Sequence, residues 1–566
     1  NDTLLLTAFN VTGFTGAGTD DFDQNVITGT VNISDDANNT GTVYFRRSVV
    51  NGNVGIAVNG NAAFYEGYQG ADTFNGNTVF NFTGTGGHHI CYSGGVSSFF
   101  GNVTVNRTTA GSTEIFEQGF TALSGNFSYT NAAGGPSLIN ASNLSTGQIG
   151  GTVNISVSGS GNPAFAMRRI KNSTNGGSIS VQNSGTVEIT NDTLLLTSLT
   201  VTGFTGGGTD DFDRNIITGN VNISDDAANT GLVYFRRSVV NGNASIAANG
   251  SAAFYEGYQG ADTFNGNTVF NFTGNGGHHI CYSGGVSSFF GNVTVNRTTA
   301  GSTEIFEQGF AALTGNFSYT NAAGGPSLIN AGNSTTGQIG GTVNIIANGP
   351  GNPAFTMRRI KNSTTGGSIS VQNSGTTIFS NDTLLLTAFN VTGFTGAGTD
   401  DFDQNVITGT VTISDDATNT GTVYSRRSIF NGDVTYTLNG TAIFYESYQG
   451  SNTYFGDVTL GRTSTAGINF AYDNPTFLHK SLFFNSTGNV AIGTIDTLKF
   501  VGSSNAVIEQ LNTGVIVITR AYIDKTGAAN ITLNDPVTIS NKITFVNGDI
   551  ISSDANPLSF ISAAKI

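Results

Sequence analysis

Gly52-Asn53-Val54-Gly55-Ile56, Gly76-Asn77-Thr78-Val79-Phe80 and Gly101-Asn102-Val103-Thr104-Val105 share one pattern, a glycine followed by alternating polar and apolar residues. Alternation over five residues predicts a short strand with one buried face. The same pattern stands at Gly29, Gly125, Gly151 and Gly177, and Ser198-Leu199-Thr200-Val201 fills the next slot with Ser in place of Gly. From Gly29 to Gly219 the spacings are 23, 24, 25, 24, 26, 26, 21 and 21 residues, which sum to 190. A second apolar pulse follows each glycine, as in Tyr44-Phe45, Phe64-Tyr65, Ile115-Phe116 and Leu138-Ile139, and often a third, as in Val49-Val50 and Phe99-Phe100. Two or three short strands per lap of about 24 residues predict an all-β fold, a parallel β-solenoid.

The alternatives fit less well. A β-propeller needs about 40–50 residues per blade, and helical repeats need Ala/Leu/Glu/Lys stretches that are absent. Tandem immunoglobulin-like sandwiches would show a period of about 95 residues. In a solenoid each coil lies ~4.8 Å from the next, so like side chains stack on like. Inward ladders of Val, Ile, Phe and Tyr bury apolar surface, and outward Asn, Thr and Ser hydrogen-bond along the axis. Charges would repel their own copies. The composition agrees: 78 Gly, 8 Pro, 2 Cys, no Trp, and only 10% charged residues among 566. Gly and Asn-Gly are expected to supply left-handed corners.

A longer repeat encloses these coils. Asn1-Asp2-Thr3-Leu4-Leu5-Leu6 returns at Asn191 and at Asn381. The expected organisation is solenoid repeat 1 over residues 1–190, repeat 2 over 191–380, a partial repeat 3 over 381–484, and divergent terminal coils or a junction over 485–566. Eight coils make up each 190-residue repeat. Because residue 1 already opens a repeat, the chain reads as part of something longer or as a processed product. The net charge of −15 is thinly spread and no Lys/Arg block occurs, which argues against nucleic acid as a partner. No apolar run reaches about 18 residues, so membrane insertion is not expected.

Several clusters carry chemistry. Asp20-Asp21-Phe22-Asp23 returns as Asp210, Asp211 and Asp213 and again as Asp400, Asp401 and Asp403. Oxygen ligands so spaced in a Gly-rich loop are candidate Ca²⁺ ligands, and Ca²⁺ is the one cofactor suggested. The competing reading is solvated turn carboxylates. Arg46-Arg47, Arg236-Arg237 and Arg426-Arg427 form a basic pair in every copy. They read either as a glycan- or partner-binding stripe or as partners of Glu66, Glu114 and Glu117 on adjacent coils. His88-His89-Ile90-Cys91 returns at His278, but neighbours on a strand face opposite ways, so His88 and His89 cannot both chelate one metal. Cys91 and Cys281 sit eight coils apart, ~38 Å along a solenoid axis, which forbids a disulfide. No catalytic motif is present, and clusters copied along a rod suit a spacer or multivalent binder better than an enzyme.

Ile495-Asp496-Thr497-Leu498-Lys499-Phe500 through Gln510, and Ile543-Thr544-Phe545-Val546-Asn547-Gly548-Asp549 through Phe560, resemble segments of giant repetitive Bacteroidota surface adhesins. That family is exported by the type IX secretion system and includes the SprB-like gliding adhesins and related hook-like appendages. The resemblance covers roughly residues 490–566 and brings no catalytic residues. It implies a secreted, cell-surface protein. It also makes Thr3, Thr193, Thr383 and Thr497 candidate O-glycosylation sites, since each stands in the Asp-Thr-aliphatic motif of that phylum. The expected function is a structural shaft segment of an extracellular adhesin or filament, giving reach and stiffness for attachment, gliding or cell capture. Its partners would be other copies of itself or other parts of a larger chain. The alternative is a multivalent module binding glycans or a partner through outward Arg, Tyr and Asp stripes.

Overall fold

The computed structural model describes residues 2–566 except 142–144, 160, 183, 333–334, 350, 373, 464–467, 487–489, 493–495, 513–514 and 562. Asn1 and Ile495, both singled out above, lie outside the described residues. Among the described residues every regular element is a β-strand. The chain divides into two compact units, 1–291 and 292–566, whose boundary does not coincide with those of the 190-residue repeats. Each unit is a parallel β-solenoid of about 23–24 residues per coil.

In the first unit a coil has three sides. Val26–Ile27 belongs to a sheet of short strands, Thr30–Asp35 to a second sheet, and Thr42–Arg46 to a third, before Val49–Val50 returns to the first. The glycine-led strands form the second sheet. There Ile33, Ile56, Phe80, Val105, Tyr129 and Ile155 follow one another in register, all facing inward and buried. The apolar pulses that follow supply the other sides: Phe74 stacks on Phe99 at 5.1 Å between ring centroids, and Phe45 on Phe74 at 5.6 Å. Each such buried side chain contributes roughly 1.5–3 kcal/mol. Alternation along a strand thus becomes an apolar column along the axis.

Outward polar residues bond along the same axis. Asn53 Oδ1 accepts the Asn77 backbone N–H at 2.9 Å, Asn77 Oδ1 that of Asn102 at 2.9 Å, and Asn102 Oδ1 that of Asn126 at 2.8 Å. In the second unit Asp433 and Asp457 do the same for Asp457 and Ser481.

Two expectations need correction. The ladder glycines Gly52, Gly76, Gly101 and Gly125 are not left-handed corners. A Cβ on any of them would meet the backbone of the preceding ladder glycine at 2.3–2.5 Å, so what they supply is close approach between coils. The left-handed corners between the third and first sheets use Gly67 and Gly119, at φ +76° and +85°, together with Gln24, Arg47, Gln69, Cys91, Phe116, Asn140 and Arg169, at φ between +51° and +59°. Holding a residue with a Cβ there costs about 1–2 kcal/mol, which the surrounding ladders must outweigh.

The second correction concerns register. Glycine spacing aligns Gly151 with Gly177, but the structure pairs Ile155 with Ile179. The slip is two residues, and alternation has period two, so the in/out pattern cannot detect it.

Among the described residues of the second unit, the last strand of the third sheet is Ile468–Asn469. Beyond it the strands lengthen to 10 residues, Ile516–Lys525, and 11 residues, Val537–Asn547. The first of these pairs with Val490–Ile492 through its beginning and with Leu498–Gly502 through its end. One long strand therefore runs where two short sides stood.

Gly76→Ala is expected to destabilise the protein by at least about 2 kcal/mol, because the added methyl meets backbone that cannot move. Gly207→Ala, which meets only the Thr230 hydroxyl at 3.7 Å and reproduces Ala17 and Ala397 of the other copies, should change stability by under about 0.5 kcal/mol. Denaturant unfolding of both variants checks the contrast.

Candidate functional site

The outer face of the third sheet gathers most of the residues the sequence singled out. Strand Thr19–Asp23 pairs with Thr42–Arg46 so that Asp23 lies beside Arg46 in the next coil. Arg46 grips Asp21 with Nε at 3.0 Å from Oδ1 and Nη2 at 2.5 Å from Oδ2, and Arg47 grips Asp23 in the same two-pronged way. Both pairs recur: Arg236 with Asp211 and Arg237 with Asp213, then Arg426 with Asp401 and Arg427 with Asp403. The sequence reading had offered Glu66, Glu114 and Glu117 as partners. The preceding coil is nearer, and its carboxylates match the guanidinium fork. Arg47 also lies across Gly70, where a Cβ would stand 2.4 Å from its Cγ.

The three Asp of each cluster do not converge. Asp210 and Asp400 turn inward, accepting the backbone N–H of Val187 at 2.9 Å and of Thr377 at 2.8 Å, and burial pushes both carboxyls up to about 7. Asp211, Asp213, Asp401 and Asp403 face the arginines instead. The equivalent Asp20 is half-buried on its strand. Alternation therefore divides the carboxylates that spacing alone had grouped as Ca²⁺ ligands.

Above the clamp runs an aromatic ladder, the outward Tyr stripe expected beside the arginines. Tyr44 stacks on Tyr65 at 5.5 Å and on Tyr68 at 5.0 Å, Tyr65 on His89 at 5.0 Å, and Tyr68 on Tyr92 at 5.8 Å. The Arg46 guanidinium lies 5.2 Å from the Tyr44 ring. All of these rings are half-buried, with edges toward solvent. Tyr234, Tyr255, Tyr258 and Tyr282 repeat the ladder, as do Tyr424, Tyr445, Tyr448 and Tyr472.

His88 and His89 point opposite ways. His88 is buried with its ring on Phe82 at 4.1 Å, and its Nδ1 accepts from Arg107 Nη1 at 2.5 Å. Burial and then the guanidinium push His88 down to about 3, so it is neutral, while burial lowers Arg107 to about 10. Arg107 is wholly inside and donates to carbonyls of Gly84, Gly86, Thr109 and Ser112. His89 faces out, with Nδ1 2.9 Å from Glu117 Oε2 and 3.9 Å from Glu114 Oε2. Cys91 and Cys281 are buried free thiols.

In the second unit Glu304, Glu307, Gln308, Ala331 and Arg358 help line a surface concavity of about 370 Å³. The four Thr of the Asp-Thr-Leu motif lie outward, Thr3 exposed and Thr193, Thr383 and Thr497 half-buried. Two of the preceding Asp have a structural task. Asp192 and Asp382 are buried and accept the backbone N–H of Ile170 at 2.6 Å and Ile360 at 2.7 Å. Burial raises both carboxyls well above the usual range.

Comparison with protein-family models, with curated proteins and with solved structures finds no match to this chain. Function must therefore be argued from the residues themselves.

Behind the ladder lies a buried acid pair. Glu66 accepts the Cys91 N–H at 2.7 Å and the Ser97 hydroxyl at 2.5 Å, and Asp72 accepts the Ser48 N–H at 2.6 Å. Both are fully enclosed; burial raises both carboxyls, and the neighbouring Glu66 charge raises Asp72 further. Asp72 Oδ2 makes no hydrogen bond, and its counterpart Asp262 Oδ2 accepts only the Gly257 N–H, at 3.1 Å. The third copy shows what belongs there: Asn452 replaces the Asp and donates its amide to Glu446 at 2.8 Å. A neutral amide does for Glu446 what a protonated Asp72 would do for Glu66, so the folded pair favours holding a proton.

Because the folded state binds that proton more tightly than the unfolded chain, its contribution is complete below about pH 4 and fades as pH rises through the elevated carboxyl range. Asp72→Asn combined with Asp262→Asn is expected to raise the melting temperature at pH 8 and to leave it nearly unchanged at pH 4. Thermal unfolding at both pH values checks this, and an equal effect at both would contradict it.

Proposed function

We propose that the chain is a structural shaft segment of an extracellular adhesin or filament, exported to the cell surface like the type IX-secreted Bacteroidota adhesins it resembles. Its role is mechanical: duplicated coils set reach, and continuous axial bonding supplies stiffness. The observation that carries this reading is the third-sheet clamp. The residues best suited to a ligand, Arg46, Arg47 and their copies, are bound to the preceding coil in all three repeats. Their chemistry is thus turned inward on the solenoid. Repeating such clamps along an axis ties coil to coil, and catalysis gains nothing from the repetition.

A second reading, multivalent glycan binding, rests on the tyrosine ladder rather than on the arginines. Rings stacked about one coil apart present a row of edges and hydroxyls to which saccharide hydroxyls can bond. The two readings part under deletion of residues 191–380 from the parent protein. A shaft should lose reach of ~38 Å, eight coils at the usual spacing, while attachment at its tip persists. A multivalent binder should lose avidity in proportion to the ladder removed. Electron microscopy of surface-displayed protein, paired with cell attachment, measures both.

Glycan-array binding by the full chain gives a further check. On the shaft reading no saccharide is retained. Binding that vanishes in Tyr65→Ala/Tyr68→Ala/Tyr92→Ala, but survives Arg46→Ala, would transfer the function to the ladder.

A further inference from the structure

We infer that His89, Glu114 and Glu117 form a binding site for a divalent transition-metal ion, with Zn²⁺ the ion their chemistry fits best. His89 lies on strand His88–His89, and Glu114 on the paired strand Thr113–Ile115 of the next coil. Glu117 follows Phe116, one of the left-handed corner residues, at φ +57°. That corner swings Glu117 back beside Glu114, so two carboxylates and an imidazole converge from two coils. One ligand atom from each lies within 4.8 Å of the other two.

The distances suit a metal. Ligands at ~2.1 Å from a tetrahedral ion stand ~3.4 Å from one another. Nδ1 to Glu117 Oε2 is 2.9 Å and Nδ1 to Glu114 Oε2 is 3.9 Å, which bracket that value. Small rotations of two glutamate side chains close the site. The imidazole needs no movement, because Tyr65 stacks on it at 5.0 Å with 12° between planes and Tyr92 packs at 4.9 Å. A histidine held this way is a preorganised ligand.

Electrostatics and access agree. Two neighbouring carboxylates face a single imidazole there, whereas Asp21, Asp23, Glu188, Asp211 and Asp213 of this sheet are each paired with an arginine. A dication would balance the cluster. The side chains are 18%, 27% and 15% exposed, so an ion can enter while part of its shell is protein. Three protein ligands leave one position for water. A nitrogen ligand beside two carboxylates selects Zn²⁺ and similar ions over Ca²⁺ and Mg²⁺, which prefer all-oxygen shells. The third copy is a natural counterpart: Asn469 stands in place of the histidine, on the last strand of the third sheet among the described residues.

The sequence carries the same three residues again at His279, Glu304 and Glu307, so the test uses the full chain in a His279→Asn background. Zn²⁺ is titrated calorimetrically, and bound Co²⁺ is followed by visible absorption. Expected are saturable binding of one Zn²⁺ per chain, a higher melting temperature with Zn²⁺, and no effect of Ca²⁺ or Mg²⁺. Adding His89→Asn should abolish binding, and Glu117→Gln should weaken it about tenfold or more. Absence of saturable Zn²⁺ binding, or binding that both variants leave unchanged, would overturn the assignment. So would equal binding of Ca²⁺. If His89→Asn fails to fold, Glu114→Gln and Glu117→Gln decide by the same readout.

Discussion

Stacking of each residue on its counterpart about one coil away is the constraint from which the other features follow. Parallel strands in register place identical or similar side chains ~4.8 Å apart. An apolar side chain gains from such a neighbour, and an amide gains if it can donate and accept along the axis. An ionised group loses. The chain resolves that conflict in two ways. Where charge faces out, register offsets the signs, so that Asp23 lies beside Arg46 and Asp213 beside Arg236. Where it lies inside, burial raises the carboxyl well above its ordinary range, as at Asp72 and Asp192. Low charge content is therefore a consequence of the architecture and not a separate property.

The same constraint decides which glycines matter. In a globular turn a glycine is usually needed for a left-handed backbone. Here Gly52 and Gly76 are needed because coil meets coil there backbone to backbone. Corners that do require positive φ are shared between glycines such as Gly67 and Gly119 and residues such as Arg47, Cys91 and Phe116, whose side chains have work on one face or the other. Arg47 turns the corner and reaches back to Asp23, and Phe116 turns it inward against Phe120 and Phe127.

The fold was legible because alternation and a period of about 24 residues are both properties of the linear chain. The two-residue register shift near Ile179 was not, since sliding by two keeps every inward residue inward. Site chemistry was legible only in part. The Asp and Arg pairs stood out, yet their mutual pairing depends on register in the third sheet, which glycine spacing in the second sheet does not report. Glu114 and Glu117 drew attention only as arginine partners. Their convergence with His89 needs the left-handed corner at Phe116, and nothing in a phenylalanine signals positive φ.

Comparison of the copies separates what the solenoid requires from what it tolerates. In the third copy Phe45, Ile56, Phe74 and Asp72 become Ser425, Tyr436, Tyr454 and Asn452. Taken singly, each change would put an uncompensated polar group into the core. Together they connect: the Ser425 hydroxyl lies 2.8 Å from that of Tyr436, Tyr436 3.1 Å from Tyr454, and Tyr454 donates to Glu446 at 3.2 Å. Volume lost at the serine is regained by the tyrosine next to it, and the glutamate keeps its donors. Through this repacking Glu446, the Arg426 clamp and the Tyr424 ladder persist, while the histidine gives way to Asn469. The glutamate, the clamp and the ladder thus belong to the coil itself. The His-Glu-Glu cluster is an addition that the fold does not need.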